Sequence, residues 1–143
     1  MTKEEIISKV KALNLPKGSY VVFGSCSLAI AGIREANDID LLVSPETLET
    51  LRKAGWRKID KGHNDTPLVH SVFEAHDNWD FSPYSPTLAH LLTSADVVDD
   101  VPFASLEEVR KWKEASGGPK HLHDVELIDE HLRGNTSATE PAQ

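Results

Sequence analysis

The sequence is poor in cysteine and in positive charge. It has one cysteine, Cys26, which excludes an intramolecular disulfide and fits a reducing compartment. Lysine and arginine number 15 against 23 acidic residues, and the resulting net charge of −8 disfavours a long nucleic acid as partner. No run approaches the ~18–20 apolar residues of a membrane span, and the first residues lack an apolar signal region. We therefore expect a cytoplasmic protein with no membrane association.

Length and composition predict one domain. The chain has 143 residues, of which 39% are hydrophobic, enough for a single core but not for a separate substrate-binding domain. We place the domain at residues 1–133. Residues 134–143 show no apolar pattern, so we expect a disordered C-terminal tail there.

Helices and strands alternate along the predicted domain. Three helices have N-cap signals: Thr2 with Glu5, Ser44 before Pro45, and Ser105 with Glu108. Two further helices are expected, a short one near 88–92 and a last one after Gly117-Gly118-Pro119. Strands are expected at residues 20–23, 38–43, 56–59, 68–75 and 79–81. The fold class is α/β (α+β), with a short mixed sheet flanked by helices.

The most informative stretch joins two of these strands. The first delivers Gly24-Ser25, and the second carries Asp38 and Asp40 with only Ile39 between them. Residues two apart on a strand point to the same face at roughly 6.5–7 Å, so both carboxylates can converge on one cation. Glycine lets the backbone approach a ligand closely, and N–H groups at the start of a helix favour anions. A metal site beside a phosphate site is therefore predicted.

This order of motifs resembles the DNA polymerase β-like nucleotidyltransferases, whose signature is a strand, a Gly-Ser turn, a short helix and a strand bearing Asp-x-Asp. A second segment, VVDDVPFASLEEVRKWKEASGGPKHLHDVELI at 97–128, is similar to one found in small, single-domain (minimal) members of that superfamily. The resemblance covers roughly the whole chain except its last ten residues. It implies a nucleotidyltransferase fold and activity.

The resemblance also implies roles for individual residues. Asp38 and Asp40 would hold two Mg²⁺ (or Mn²⁺) ions, and Gly24 and Ser25 would bind the β- and γ-phosphates. A third carboxylate usually completes such a site from a neighbouring strand. Asp80 is our choice, because strand alternation would place it opposite Trp79 and Phe81.

Glu74, on the preceding strand, is the alternative third carboxylate. Three basic residues are candidate contacts to the triphosphate: Arg34, Lys113 and Lys120. A surface position is an equally good interpretation of Arg34. Lys113 and Lys120 are supported by the resemblance, in which a helical lysine and a Pro-Lys lysine recur.

The chain departs from the family pattern at three positions. Gly118 stands where an arginine is usual, His121 replaces an aspartate, and Asp100 replaces a glycine. Asp124 is the one matched acid of that motif. These departures keep a catalytically inactive protein among the alternatives.

Seven histidines raise the question of a zinc site. His121 and His123 lie two apart on a predicted helix and so do not face each other, and Cys26 has no Cys-x-x-Cys partner. A zinc site is therefore not favoured. His70 and His76 are expected on one strand near the carboxylates; one of them could serve as a base, although half-exposed strand residues are the favoured interpretation.

The resulting hypothesis is an enzyme that transfers a nucleoside monophosphate from ATP or another nucleoside triphosphate to a hydroxyl or amine. The acceptor would be an unidentified small molecule or a protein. Two alternatives remain: an antitoxin-like or regulatory module that nucleotidylates a partner protein, and a nucleotide-binding protein that has lost turnover.

Overall fold

The structure is a computed structural model that describes residues 1–62 and 65–138, with side chains to residue 134. The elements in chain order are α1 Lys3–Ala12, β1 Tyr20–Phe23, α2 Ser25–Ile30, β2 Ile39–Val43, α3 Pro45–Lys53, β3 Arg57–Lys58, β4 Leu68–His70, β5 Phe73–His76, α4 Leu88–Thr93, β6 Asp96–Val98, β7 Val101–Phe103, α5 Leu106–Ser116 and α6 Pro119–Ala138.

The strands of the described residues form one mixed sheet in the order β3-β4-β5-β2-β1-β7-β6. β1 and β2 run antiparallel, and each has a parallel neighbour on its other side, β7 beside β1 and β5 beside β2. Strands β1 and β2 are therefore the centre of the sheet. Their nearly continuous apolar sequences, YVVF and IDLLV, are those of strands covered on both faces.

The two faces of the sheet belong to two hydrophobic clusters. One cluster packs α1 and α3 against alternate residues of the central strands, including Val22 and Leu41. The other packs α4, α5 and α6 against Phe23 and Leu42. Asp40 alternates with Leu41 and pairs in register with Phe23, so its side chain lies on the second face.

The predicted helix starts are confirmed. Thr2 and Glu5 form a reciprocal capping box, and Ser44 caps α3 with Pro45 in its first turn. Ser105 accepts a hydrogen bond from the Glu108 N–H. The Glu108 carboxylate does not complete that box, because it accepts hydrogen bonds from Tyr84 and Lys111 instead.

Two strand predictions are wrong. Residues 68–75 form the hairpin β4–β5 rather than one strand, and the turn passes through Ser71 at a φ of 54°. Residues 79–81 are not a strand: Phe81 makes only an isolated bridge to Tyr84, and the segment is a loop after β5. Trp79 is nevertheless buried, because its ring packs 4.7 Å from that of Phe23.

Helix α6 continues through Ala138, and so includes the first residues of the segment expected to be a disordered tail. The remainder of that segment, 139–143, lies outside the described residues, and the domain boundary stays a prediction. Among the residues described, no helix combines the length and apolarity needed to cross a membrane.

Candidate active site

The parallel pairing of β2 with β5 brings two carboxylates together. Asp40 is directly in register with Glu74, so both side chains project from the same face of the sheet. His76, two residues beyond Glu74, shares that face. Ligand atoms of Asp40, Glu74 and His76 all lie within 4.8 Å of one another. We call these three residues the acidic cluster.

Gly24 leaves the space that Asp40 occupies. A Cβ atom at position 24 would lie 2.8 Å from Asp40 Oδ2, closer than real Cβ contacts allow. The φ of Gly24 is 77°, in a region that other residues rarely adopt. The turn after β1 therefore requires glycine for both reasons. The motif Gly24-Ser25 ends directly beside the acidic cluster.

The charges of the acidic cluster are incompletely neutralised by the protein. Burial, followed by the charges of Asp38 and Glu74, raises the pKa of Asp40 to about 8. Lys61 opposes this effect from the loop after β3, where its ammonium forms an ion pair with Glu74. A carboxylate kept protonated by its neighbours becomes ionised when a cation binds beside it. The electrostatics thus favour a bound cation at Asp40.

The donor set fits a divalent metal ion. Carboxylate oxygens from Asp40 and Glu74 are ligands that Mg²⁺ and Mn²⁺ prefer, and the imidazole of His76 is a common ligand of transition metals. Asp38 is exposed just before β2 and raises the pKa of Asp40, which places a further carboxylate nearby. For Mg²⁺ or Mn²⁺ the ligands would be Asp38, Asp40 and Glu74, which leaves the imidazole of His76 uncoordinated.

His76 is held in a neutral form by its surroundings. Burial lowers its pKa, and the ring stacks edge-on against Trp79 at 4.8 Å. Its Nδ1 atom lies 3.4 Å from Asp65 Oδ1. An oriented, neutral imidazole within this cluster can accept a proton.

A second ionic network lies beside Gly24-Ser25. Arg34 donates two hydrogen bonds to Asp124, at 2.9 and 2.7 Å, and a third to the Ser25 hydroxyl at 2.9 Å. Lys113 Nζ approaches the same Asp124 carboxylate at 2.8 Å. Lys113 and Asp124 are both almost fully buried, with side-chain exposures of 2% and 3%. We call Arg34, Lys113 and Asp124 the buried ionic triad.

The triad shifts the pKa of its carboxylate. Burial alone would raise the pKa of Asp124, but hydrogen bonds from Arg34 and Lys113 lower it to about 2. Lys113, like Lys61, also opposes the rise in the pKa of Asp40. The positive charge of Lys113 therefore acts on the acidic cluster. Asp124 holds that lysine and Arg34 on the same side of the site.

The residues predicted from sequence are distributed around this centre. Asp40, Gly24 and Ser25 lie in it, and Arg34 reaches it through Ser25. Lys113 is buried and paired with Asp124 rather than exposed to solvent. Two other predicted residues, Asp80 and Lys120, are exposed, the first in the loop after β5 and the second in the first turn of α6. Asp80 is not in the acidic cluster.

Glu74 and His76 occupy the place that the prediction gave to Asp80. Both were identified in the sequence, one as the alternative carboxylate and the other as a possible base. The sequence Glu74-Ala75-His76 repeats the spacing of Asp38-Ile39-Asp40, with two polar ligands flanking one apolar residue. Nothing in the sequence around Lys61 indicated a site residue, because this lysine lies in a polar turn.

A cleft of about 480 Å³ opens next to the acidic cluster. His76 lies in its wall, as do Lys61 and Asp65 from the loop between β3 and β4. The loop after β5 supplies further wall residues, including Trp79 and Asp80. His76 thus belongs both to the acidic cluster and to the wall of a space large enough for a small molecule.

Comparisons with known proteins support the fold. No protein-family model and no curated protein matches the chain. Its structure is similar to the crystal structure of ANT(2″)-Ia, a nucleotidyltransferase, in complex with adenylyl-2″-tobramycin. The TM-score is 0.52 at 16% sequence identity, over 90% of this chain and 86% of that chain. The predicted fold class is confirmed: the chain has a nucleotidyltransferase-like α/β fold.

Proposed function

We propose that this protein is a metal-dependent nucleotidyltransferase of the small, single-domain kind, which transfers a nucleoside monophosphate from a nucleoside triphosphate to a hydroxyl or amine. The observation that carries the proposal is the acidic cluster. Asp40 and Glu74 lie side by side on two parallel strands. They adjoin the turn at Gly24, where a Cβ atom would lie 2.8 Å from Asp40 Oδ2. The likeness to ANT(2″)-Ia, which was crystallised with a nucleotidylated small molecule, supports the same reaction class.

Asp38, Asp40 and Glu74 would hold Mg²⁺ or Mn²⁺. Such an ion, when bound, supplies positive charge to the phosphate oxygens and makes an attacking hydroxyl more acidic. Lys61 would have to release Glu74 in part, because it now forms an ion pair with that carboxylate. We retain Asp80 as a residue of the cleft and assign the third carboxylate to Glu74.

The phosphate chain would lie along Gly24, Ser25 and Arg34. Arg34 is 27% exposed, and its guanidinium already contacts the Ser25 hydroxyl. Arginine suits this role because its planar donors match phosphate oxygens. Asp124 fixes the guanidinium, while Lys113 supports Asp124 from the buried side. Lys120 remains a predicted phosphate contact.

The acceptor oxygen or nitrogen would attack the α-phosphorus. The bond between the α-phosphorus and the oxygen bridging to the β-phosphate breaks, and pyrophosphate leaves. His76 would take the proton of the acceptor, since burial keeps its imidazole neutral. Asp65 faces Nδ1 of that ring, which leaves Nε2 as the nitrogen that receives the proton.

The first test needs no knowledge of the acceptor. Mg²⁺ with a triphosphate should bind only the folded chain, which raises its stability by about 2.7 kcal/mol at a hundredfold excess over Kd. For a domain of this size the melting temperature should rise by about 5–10 °C in a thermal scan. Triphosphate without metal should stabilise less, because no cation then bridges its phosphates to Asp38, Asp40 and Glu74.

Turnover separates the proposal from its alternatives. The protein is incubated with Mg²⁺, each α-labelled triphosphate and a cell extract, and pyrophosphate and labelled products are followed. A labelled small molecule supports the proposal, whereas a labelled protein favours the regulatory, antitoxin-like alternative. Stabilisation by nucleotide without pyrophosphate would favour a nucleotide-binding protein that has lost turnover. Absence of any stabilisation at millimolar nucleotide would contradict a nucleotide site.

Substitutions of Glu74 and Asp80, the two candidates for the third carboxylate, should lower kcat to different extents. Glu74→Gln should lower kcat by about a hundredfold or more, because it removes a charge adjacent to Asp40 in register. Asp80→Asn should change kcat much less, because Asp80 is exposed outside the acidic cluster. Steady-state rates of pyrophosphate release measure both. The reverse ranking would return the third carboxylate to Asp80.

A further inference from the structure

Lys113, expected from the sequence to contact the triphosphate, lies beneath another side chain. Its own side chain is 2% exposed, so its ammonium hardly meets solvent. Nδ1 of His121 lies 3.4 Å from Lys113 Nζ, and the imidazole packs with its centre 5.2 Å from the ring of Trp112. His121 is itself partly exposed. The imidazole therefore contacts the buried ammonium and still reaches solvent.

The contact with Lys113 fixes which ring nitrogen of His121 has the proton. An ammonium has three donors and no acceptor, so Nδ1 must accept the hydrogen bond. The ion pair with Asp124, at 2.8 Å, favours the charged ammonium against the effect of burial. Burial, followed by the charge of Lys113, lowers the pKa of His121, which keeps its ring neutral. The one ring proton is then on Nε2, which is a hydrogen-bond donor.

The imidazole of His121 lies on the same side of the site as Arg34. His121 and Asp124 are three residues apart on α6 and so share a face of that helix. Arg34 donates hydrogen bonds to Asp124 and to the Ser25 hydroxyl, at 2.7 and 2.9 Å. The charge of Arg34 adds to the effects of burial and of Lys113 on the pKa of His121, which places the guanidinium within electrostatic reach of the ring.

A histidine at position 121 preserves the positive charge of the buried ionic triad. Arg34 and Lys113 each contribute one positive charge and Asp124 one negative charge, which leaves the triad with a single excess positive charge. An aspartate at position 121 would bring a second carboxylate to Lys113 and cancel that excess. A neutral imidazole accepts the hydrogen bond without cancelling it. The side proposed for the phosphates therefore stays cationic in a chain whose net charge is −8.

We propose that His121 binds a phosphate of the triphosphate through its Nε2–H, while the buried Lys113 polarises the imidazole from its other nitrogen. This role rests on the proposed function for the identity of the ligand, whereas binding of an inorganic polyphosphate requires no turnover. Hydrogen bonds in a chain strengthen one another, so an imidazole that accepts from an ammonium is the better donor at Nε2. Lys113 thus acts on the phosphate through His121 rather than by direct contact.

Nitrogen-15 NMR of the full chain, labelled in histidine, tests the tautomer without turnover. Protonated and unprotonated ring nitrogens resonate far apart, and the signals of His121 are assigned through His121→Phe. We expect an unprotonated Nδ1 and a protonated Nε2. Titration with tripolyphosphate and Mg²⁺ should shift the Nε2 signal. His123 lies two residues further along α6, on another face and 66% exposed, so its signals should not shift.

Variants of the two histidines test the contact by titration calorimetry with tripolyphosphate and Mg²⁺. His121→Phe keeps an aromatic ring beside Trp112 and should weaken binding by about tenfold or more, because a charge-assisted hydrogen bond is lost. His121→Gln retains an N–H donor and should recover part of the affinity. His121→Asp should bind more weakly than His121→Phe, because it also cancels the excess charge of the triad.

The matched control is His123→Phe, whose affinity should stay within about twofold of the wild type because that ring lies on another face of α6. Steady-state kinetics add a measurement that a purely structural role would not change in this way. In His121→Phe the KM for the triphosphate should rise while kcat stays within about threefold, as expected when binding common to the ground and transition states is lost.

The outcomes distinguish the role of His121 from the proposed function. A ring protonated at Nδ1, an Nε2 signal that tripolyphosphate does not shift, or equal affinities in His121→Phe and His123→Phe would each overturn the phosphate contact, even if the wild type releases pyrophosphate. Conversely, weakened tripolyphosphate binding in His121→Phe, in a protein whose wild type releases no pyrophosphate with any acceptor, would support the contact while contradicting the proposed enzyme.

Discussion

Asp40→Asn should abolish turnover and, without metal, make the protein more stable. Loss of this ligand should lower kcat by about a thousandfold, equivalent to ~4 kcal/mol of transition-state stabilisation. The stability gain follows from the pKa of Asp40, which rises from 3.8 to about 8. At neutral pH the folded chain either keeps Asp40 protonated, although the unfolded chain releases that proton, or carries an ionised Asp40 beside Asp38 and Glu74. Both cost stability. An amide of the same shape carries no such cost.

The difference in unfolding free energy between the wild type and Asp40→Asn depends on pH. Below about pH 4 the carboxyl is protonated in both the folded and the unfolded chain, so wild type and variant should differ little. As the pH rises from 4 to 8 the unfolded wild type loses this proton first, and the wild type becomes progressively less stable. Above pH 8 the difference is complete. A shift of about four pKa units corresponds to ~5 kcal/mol of unfolding free energy. Because Asp40 is partly exposed, we expect a difference of about 2–4 kcal/mol.

Urea unfolding in EDTA between pH 4 and pH 9 measures this difference, and Asp96→Asn is the matched control. Asp96 is exposed in β6, at the far edge of the sheet, so its variant should follow the wild type at every pH. Added Mg²⁺ should stabilise the wild type and leave Asp40→Asn unchanged. Near-normal turnover in Asp40→Asn would show that the metal assignment is wrong, and a pH-independent stability difference would contradict the raised pKa.

Local signals predicted the parts of the fold that local interactions determine. The helix starts at Thr2, Ser44 and Ser105 were correct because a capping side chain bonds within its own first turn. The strand with Asp40 was correct because a run of buried apolar residues surrounds it. The proximity of Gly24 to Asp40 also followed from sequence, because β1 and β2 are joined through one short helix and pair directly.

The carboxylate that lies beside Asp40 depended on information that is not local. Glu74 meets Asp40 only because residues 68–75 fold back at Ser71, where a non-glycine residue adopts a positive φ. No turn residue typical of such a position indicated this hairpin. Asp80 was chosen by strand alternation, which does not apply in a loop. Trp79 and Phe81 are held there by contacts with Phe23 and Trp112 from other elements.

The burial of Lys113 was also beyond sequence reasoning. A lysine on an amphipathic helix is normally solvated, and its role as a phosphate contact assumed exposure. Its position is understandable only when Asp124 of α6 and Arg34 of the loop before β2 are placed around it. The matched acid Asp124 was noticed, but three separate segments must pack before its two cationic partners are visible.

Asp124→Ala should be among the most destabilising single substitutions on this face of the sheet. It leaves Lys113, which is 2% exposed, without its carboxylate and deprives Arg34 of two hydrogen bonds. Removing one partner of a buried ion pair typically costs about 3–5 kcal/mol. The freed guanidinium should also lose its fixed contact with Ser25, so the KM for the triphosphate should rise. Urea unfolding and initial rates over a range of triphosphate concentration measure the two effects.

Asp124 should also contribute to the loss of wild-type stability in acid. The pKa of Asp124 is about 2 in the folded chain against an ordinary 3.8, so its stabilisation is complete above about pH 4 and is lost as the pH falls towards 2. The difference corresponds to about 2 kcal/mol, which Asp124→Ala should no longer lose on acidification. Asp129→Ala is the matched control, because that carboxylate lies on the same helix, is 33% exposed and pairs with Arg110 at the surface.

The control variant should lose no more than about 1 kcal/mol, as is usual for exposed ion pairs. A further variant separates the missing charge from the missing volume. If the unpaired Lys113 causes the instability, Lys113→Met combined with Asp124→Ala should be more stable than Asp124→Ala alone, since an apolar side chain needs no counter-charge. A double variant no more stable than the single one would mean that the lost packing around Asp124, rather than the stranded ammonium, determines the effect. Equal destabilisation by Asp124→Ala and Asp129→Ala would contradict a buried role for Asp124, and with it the fixed position of Arg34 beside Ser25.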